Sequence, residues 1–329
     1  MDIDERLIFL ISQPRAGSTM LQRILGSHPD IHTLPEPWIM LHPLYALRRS
    51  GISAEYNVDW AVNQAESFLD RLPGGRDAFT EAQYRAYSYL YEQALISSEK
   101  LYFLDKTPRY YHVIPELHRV FPKAKFIFLL RNPLAVLASI LKSWVGKDWA
   151  RLQFYRYDLT DAPQLLMDGL QMGGAGQVMV RYEDIVVNPE EAIKQLCGQL
   201  DISFHQKMVE YGQHTFPEAD WGDRETIYNE DRPSKQYKDR WGETLMTSAQ
   251  WQNWGVKYLQ MLGPEFLARM GYSYDELYAV LMTKRKRRSM TDLPWYLVIK
   301  DPAVYSFLDR LLISIHSVKV NGLNAIKGS

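Results

Sequence analysis

A few side chains in this 329-residue chain stand where they could hold an anion or move a proton. Arg15 lies in the turn Gln13-Pro14-Arg15-Ala16-Gly17-Ser18-Thr19. Backbone N–H groups around Gly17 would face a phosphate-like ligand there. The first turn of a following helix offers unpaired donors and a positive dipole end, and Arg15 adds a fixed charge. Glycine lets the backbone come close. Glu36 is clamped between Pro35 and Pro37, and a carboxylate fixed near such a loop is a candidate base; a helix-capping or salt-bridging Glu is the plainer alternative. Lys106 and Arg131 each follow an apolar run, the place where ligands meet the carboxyl ends of strands in open α/β sheets. The loop is not that of a nucleotide triphosphatase. G-x-x-x-x-G-K-[ST] needs a lysine before the last hydroxyl residue, where Ser18 stands, the cation having moved upstream to Arg15. Alone, it reads equally well as an ordinary strand-to-helix turn.

The elements that must position these groups alternate. Leu7 to Ile11 is an apolar run of strand length, and Met20, Leu21, Ile24 and Leu25 share one helical face beyond the turn. Prolines 29, 35 and 37 rule out a continuing helix and describe an extended connection returning to the sheet edge. Residues 38–100 read as a helical insertion capping the sheet on the acceptor side, split by Leu72-Pro73-Gly74-Gly75. Most of its ten rings (Trp38, Tyr45, Tyr56, Trp60, Phe68, Phe79, Tyr84, Tyr87, Tyr89, Tyr91) are expected in the core. A strand over Leu101–Leu104 ends in Asp105-Lys106. A helix follows from about Ile114 to Val120, then a buried strand Lys125–Leu130 ending in Arg131-Asn132-Pro133, with Ser139 on the next helix. A strand Gln177–Tyr182, a helix around Pro189 to Leu200 with Cys197 on its apolar face, and a helix from Ser248 to Met270 complete the reading. Strands alternating with helices give an α/β fold with a doubly wound, central parallel sheet.

Composition bounds the function. A net charge of -1 gives no global affinity for nucleic acid, and the single cysteine excludes an internal disulfide and a cysteine-rich metal site. No secretory signal or run of ~20 apolar residues is visible, so the expectation is a soluble, cytoplasmic protein. The tail changes character: residues 284–329 carry nine Lys or Arg against three Asp, beside Tyr305, Leu308, Leu312 and Ile315 at helical spacing. This basic, partly helical extension of a 1–283 domain reads as a solvated charge run with a packed helix, or as a peripheral contact with an anionic membrane surface.

Taken together, the blocks resemble the sulfotransferases that use 3′-phosphoadenosine 5′-phosphosulfate (PAPS), a P-loop-like α/β fold without the Walker lysine. Pro14-Arg15-Ala16-Gly17-Ser18-Thr19 resembles the 5′-phosphosulfate loop. Phe126 to Pro133, with Ser139 eight residues after Arg131, resembles the 3′-phosphate block, and Val180-Arg181-Tyr182-Glu183-Asp184-Ile185-Val186 resembles the R-Y-E-D-L block. Glu36, eight residues after His28, resembles the base of the tyrosylprotein and several bacterial branches, and Lys106 in Asp105-Lys106-Thr107-Pro108 the lysine of the carbohydrate and tyrosylprotein branches.

The resemblance implies Glu36, Arg15 and Lys106 as catalytic residues, and Arg15, Ala16, Gly17, Ser18, Thr19, Arg131, Ser139, Tyr182 and Arg240 as the donor site. It implies in-line transfer to a hydroxyl of a carbohydrate, lipid or secondary metabolite, 3′-phosphoadenosine 5′-phosphate (PAP) as product, and no metal. One departure stands out: some relatives carry a basic residue where this chain has Ser143. Cytosolic small-molecule members use a histidine as base, and His32 and His112 are the reserve candidates for that role. A magnesium- and ATP-dependent phosphotransferase with Asp105 on the metal, and an inactive nucleotide-binding or membrane-docking module, are the alternatives.

Overall fold

A computed structural model describes residues 2–146, 148–174, 176–213 and 230–284. Five strands, β1 (Leu7–Ser12), β2 (Ile31–Thr33), β3 (Tyr102–Lys106), β4 (Lys125–Leu130) and β5 (Gln177–Arg181), form one sheet in the order β2-β3-β1-β4-β5. Every pairing is parallel. The apolar runs Leu7–Ile11 and Phe126–Leu130 supply side chains to both faces, as central strands of a two-sided sheet must. Ile8, Leu10, Ile127 and Leu129 enter one core, while Leu7, Phe9, Ile11, Phe126 and Phe128 enter the other.

That alternation places the chemistry. Phe103 belongs to the second core and Leu104 to the first, so Asp105 returns to the Phe103 side and Lys106 to the Leu104 side. The register sets Lys106 opposite Leu10 and Asp105 opposite Phe9, so β3 ends two residues short of the end of β1. The extended connection expected at the sheet edge contains a short edge strand, β2, and it delivers the chain to Glu36 beside the end of β3.

The helices are α1 (Ser18–Gly26), α2 (Leu41–Leu44), α3 (Val58–Leu69), α4 (Gly75–Ser98), α5 (Ile114–Val120), α6 (Pro133–Ile140), α7 (Arg156–Thr160), α8 (Ala162–Gln171), α9 (Tyr182–Val187), α10 (Pro189–Gln199), α11 (Arg240–Leu245), α12 (Ala249–Leu262), α13 (Pro264–Arg269) and α14 (Tyr274–Met282). Proline at the first or second helical position opens α5, α6, α8, α10 and α13, where its missing N–H costs nothing. The expected helix from Ser248 to Met270 is two helices. Gly263, at φ 78°, ends α12, and Pro264 starts α13.

Residues 38–100 contain the two expected helical pieces, α3 and α4, broken at the Pro73-Gly74 turn. Its rings divide differently from the expectation. Tyr91 is buried against Phe9, Phe103 and Phe121, yet Tyr56, Trp60, Phe68 and Tyr89 are 61–73% exposed. One stripe of α4, Tyr84-Ser88-Tyr91-Leu95, meets the body of the protein, and apolar residues off it face outward. Cys197 is buried on α10 as expected. No helix of the described residues is long and apolar enough to cross a membrane. The basic run after Lys284, the stripe at Tyr305–Ile315, and most of the segment between Pro217 and Trp241 lie outside the described residues.

Candidate active site

The turn after β1 is held open by left-handed backbone at two positions, Arg15 (φ 68°) and Gly17 (φ 96°). Gly17 caps α1, and a Cβ there would run into the Tyr182 ring, so both conformation and space demand glycine. Ala16 is fully buried and its N–H bonds Gln13 O at 3.2 Å, closing the turn. Ser18 and Thr19 begin α1, where backbone donors lack intrahelical partners. Gln13 Nε2 donates to Asp158 O at 2.7 Å and anchors the turn from below.

Lys106 reaches this turn from β3. Its Nζ donates to Glu36 Oε1 at 2.6 Å and to Thr19 Oγ1 at 3.4 Å, and its side chain is 3% exposed. One ammonium thus joins the clamped carboxylate to the loop helix. Burial pulls the Lys106 pKa below the ordinary lysine value, opposed by the Glu36 and Asp105 charges. The second oxygen, Glu36 Oε2, accepts from Trp38 Nε1 at 3.1 Å. Each carboxylate oxygen retains a further lone pair, so Glu36 can still accept a proton.

The Arg131 block closes on the same loop. Arg131 Nη1 donates to Arg15 O at 2.9 Å, its guanidinium lies 4.0 Å over the Tyr182 ring, and its Nε is buried without a hydrogen-bond partner. Arg15 extends the other way: Nε donates to Ser139 Oγ at 2.9 Å and Nη2 to Ser143 Oγ at 3.2 Å, with Trp144 5.3 Å beneath. α6 passes into a π-type turn, Leu141–Val145, in which Ser143 follows Ser139 by four residues, so both face Arg15. Two blocks 116 residues apart in sequence therefore meet at Arg15.

The Arg-Tyr-Glu-Asp block works residue by residue. Tyr182 lies between Gly17 and Arg131. Glu183 accepts from Asn132 N at 2.9 Å and from the Tyr272 hydroxyl at 2.7 Å, fixing the peptide after Arg131. Arg181 pairs with Asp184 and donates to Gly271 O, tying α9 to the C-terminal helices. Arg240 opens α11, which packs on the α6 helix that carries Ser139. Its guanidinium stacks 4.6 Å over Tyr237 and is exposed.

The reserve histidines lie elsewhere. His32 points to the opposite face of the sheet and packs edge-on against Phe103, with burial lowering its pKa. His112 packs against Tyr111 with the rings tilted 43° apart; burial, aided by Arg48, drives its pKa down to about 4. The magnesium role for Asp105 also meets an obstacle: both of its oxygens are taken by hydroxyls of Tyr91, Tyr110 and Thr107, on the face away from the loop helix. Sequence reasoning does not find Arg109, Asp158 or Trp38. Arg109 lies 5.6 Å over Trp38 and pairs with Asp158 at 2.8 Å, and Asp158 also accepts from Tyr111. Only the Arg109-Tyr110-Tyr111 run beside Lys106 could have flagged them.

A family model described as "Sulfotransferase family" matches residues 7–206. Nodulation protein NoeE of Sinorhizobium fredii is 33% identical over 219 residues, which cover 59% of this chain and 49% of NoeE, so the chain spans about half of that relative. A putative protein-tyrosine sulfotransferase of Caenorhabditis briggsae is 24% identical over 231 residues, 67% of this chain and 74% of that protein. Among solved structures, the sulfotransferase domain of the Synechococcus PCC 7002 olefin synthase superposes with a TM-score of 0.53 at 22% identity, over 78% of this chain and 92% of that one. The sulfotransferase domain from the curacin biosynthetic pathway gives 0.50 at 20% identity, over 81% and 97%.

Proposed function

The chain belongs to the sulfotransferase family, and on that premise we propose that it moves the sulfuryl group of PAPS to a hydroxyl, with Glu36 as general base and Lys106 as the cation at the reacting group. The observation that carries this reading is Lys106 Nζ, shared between the Glu36 carboxylate at 2.6 Å and the Thr19 hydroxyl of the loop helix at 3.4 Å.

In the proposed reaction the acceptor oxygen bonds to sulfur as the bond from sulfur to the bridging phosphate oxygen breaks. The acceptor proton passes to a free lone pair of Glu36, and the electron pair of the breaking bond stays on the phosphate. Negative charge growing on that leaving oxygen is stabilised by Lys106, which keeps a third donor, and by first-turn amides of α1. The buried, unpartnered Nε of Arg131 and the Tyr182 ring beside it suit the nucleotide half of the donor. Arg15 would serve both halves, its side chain lying between the loop and Ser139. Arg240 would close over the 3′-phosphate from α11.

For the acceptor we favour a carbohydrate or a lipid or secondary-metabolite hydroxyl. A tyrosine phenol is the second class, since several relatives bear the name protein-tyrosine sulfotransferase. The test is transfer of ³⁵S from labelled PAPS, in EDTA, to a panel of oligosaccharides, hydroxylated lipids and tyrosine peptides. Label should appear in one class and disappear with Glu36→Gln. Label transfer that requires added magnesium, or phosphate transfer from ATP, would refute the reading.

A further inference from the structure

Asp105 is 1% exposed and surrounded by hydroxyls. Tyr91 from α4 donates to Oδ2 at 2.7 Å, Tyr110 from the 3-10 helix Pro108–Val113 donates to Oδ2 at 3.0 Å, and Thr107 donates to Oδ1 at 3.1 Å. Two of these hydroxyls are relays. Thr107 Oγ1 accepts from the Trp38 amide at 3.3 Å, and the Tyr110 hydroxyl accepts from the Met40 amide at 3.2 Å. A hydroxyl has one proton to give. With an amide donating to it, that proton must find an acceptor, and an ionised carboxylate is the side chain that only accepts.

The segment so held carries the base. Trp38 has φ 57°, a left-handed conformation that a non-glycine residue keeps where its surroundings over-determine it. In that conformation its indole N–H reaches Glu36 Oε2, while Lys106, the residue after Asp105, holds Oε1. We propose that Asp105 is a positioning residue for Glu36: through the Thr107 and Tyr110 hydroxyls its carboxylate fixes the Trp38 and Met40 amides, and so holds the Glu36 carboxylate against Lys106. The role given to Glu36 rests on the function proposed above, whereas the relay itself does not.

The groups facing Asp105 are Tyr91, Tyr110 and Thr107, with Lys106 as the nearby charge. Burial pushes its carboxyl up to about 6, while the three hydroxyl bonds and Lys106 hold it down. Protonation gives one carboxyl oxygen a hydrogen of its own: on Oδ1 it would face the Thr107 hydroxyl, which already accepts an amide, and on Oδ2 it would leave only a weak acceptor for Tyr110. The relay is thus strongest while Asp105 is ionised.

The test compares wild type, Asp105→Asn, Thr107→Val and Tyr91→Phe in the full chain. Hydrogen exchange over residues 36–41 should speed up at the Trp38 and Met40 amides in Asp105→Asn, and at the Trp38 amide in Thr107→Val. In the ³⁵S-PAPS assay, kcat should fall about 10- to 10²-fold, the scale of a misplaced catalytic group. The Kd for PAP should stay within about twofold. Tyr91 touches Asp105 but neither amide, so Tyr91→Phe removes a bond that favours the charged form and should move the acid limb of kcat to higher pH. An unmoved limb in Tyr91→Phe, or unchanged exchange at Trp38 in Thr107→Val, overturns the proposal even if Asp105→Asn does not fold. Full activity of Glu36→Gln would instead sink the assignment of the base and leave the exchange result standing.

Discussion

Replacing Glu36 by glutamine separates charge from shape at the proposed centre. The amide keeps the outline of the side chain but offers one acceptor oxygen where the carboxylate offers two. It can satisfy Lys106 at 2.6 Å or the Trp38 indole at 3.1 Å, and not both. Loss of a general base costs about 10² to 10⁴ in turnover, or roughly 3–5 kcal/mol of barrier. Stability should fall as well, because Lys106 is 3% exposed and would lose its charge partner. About 3–5 kcal/mol is the upper bound for an uncompensated buried charge, and deprotonation of Lys106 would relieve part of it. Lys106→Met tests this directly. If the buried pair is the source, the double variant Glu36→Gln/Lys106→Met is more stable than the sum of the single losses implies, since no buried charge remains. The assays are ³⁵S transfer from PAPS for kcat, calorimetry with PAP for donor affinity, and denaturant unfolding for stability. Turnover should drop at least about 10²-fold with PAP affinity little changed. Wild-type turnover in Glu36→Gln would exclude Glu36 as the base, and strictly additive stability losses would exclude its coupling to the buried Lys106.

Arg131→Ala removes the guanidinium stacked on Tyr182 and should weaken PAP binding about 10- to 10²-fold, the worth of charge-assisted hydrogen bonds, as read by calorimetry. Gly17→Ala forces a side chain to φ 96° and into the Tyr182 ring; a strain of about 1–3 kcal/mol should appear as lost PAP affinity together with a lower Tm. Two buried groups should tilt stability in opposite directions with pH. Asp105, raised from 3.8 to about 6, binds protons more tightly in the folded chain, so its contribution is present below 3.8 and is lost as pH rises through 6, by about 3 kcal/mol. His112, lowered from 6.5 to about 4, contributes above 6.5 and loses that contribution as pH falls toward 4. Tm measured from pH 4.5 to 6.5 should therefore rise more steeply with pH in Asp105→Asn than in wild type, and less steeply in His112→Asn; parallel curves would contradict both assignments.

Much of the frame is legible because it is local. The apolar runs of β1 and β4, the glycine at the head of α1 and the prolines around Glu36 each act within a few residues, and each lies where periodicity and turn chemistry put it. The Gly263-Pro264 break, which splits the single helix expected from Ser248 to Met270, is equally local: a dipeptide that stops one helix and starts another. What local patterns do not carry is partnership over distance. Arg109 with Asp158, Glu183 with Asn132, and Asp105 with Tyr91 become neighbours only when the sheet is assembled. The exposed rings of α3 and α4 show the same limit: a helix rich in apolar residues announces that it will pack, but the stripe that does so is set by the body it packs on. Ser143 marks a departure from the basic residue of some relatives, and only the π-type turn after α6 reveals that it joins Ser139 on Arg15.

A loop that, with Arg131 beside it, takes a nucleotide bearing a 3′-phosphate as the carrier of a sulfuryl group must distinguish PAP from nucleotides that lack that phosphate. Calorimetric titration with PAP in EDTA, with ADP as comparator, measures this. PAP should bind tightly and ADP weakly, and Arg131→Ala should abolish the difference. Equal or tighter binding of ADP, or binding of either nucleotide only after magnesium is restored, would contradict that role for the loop.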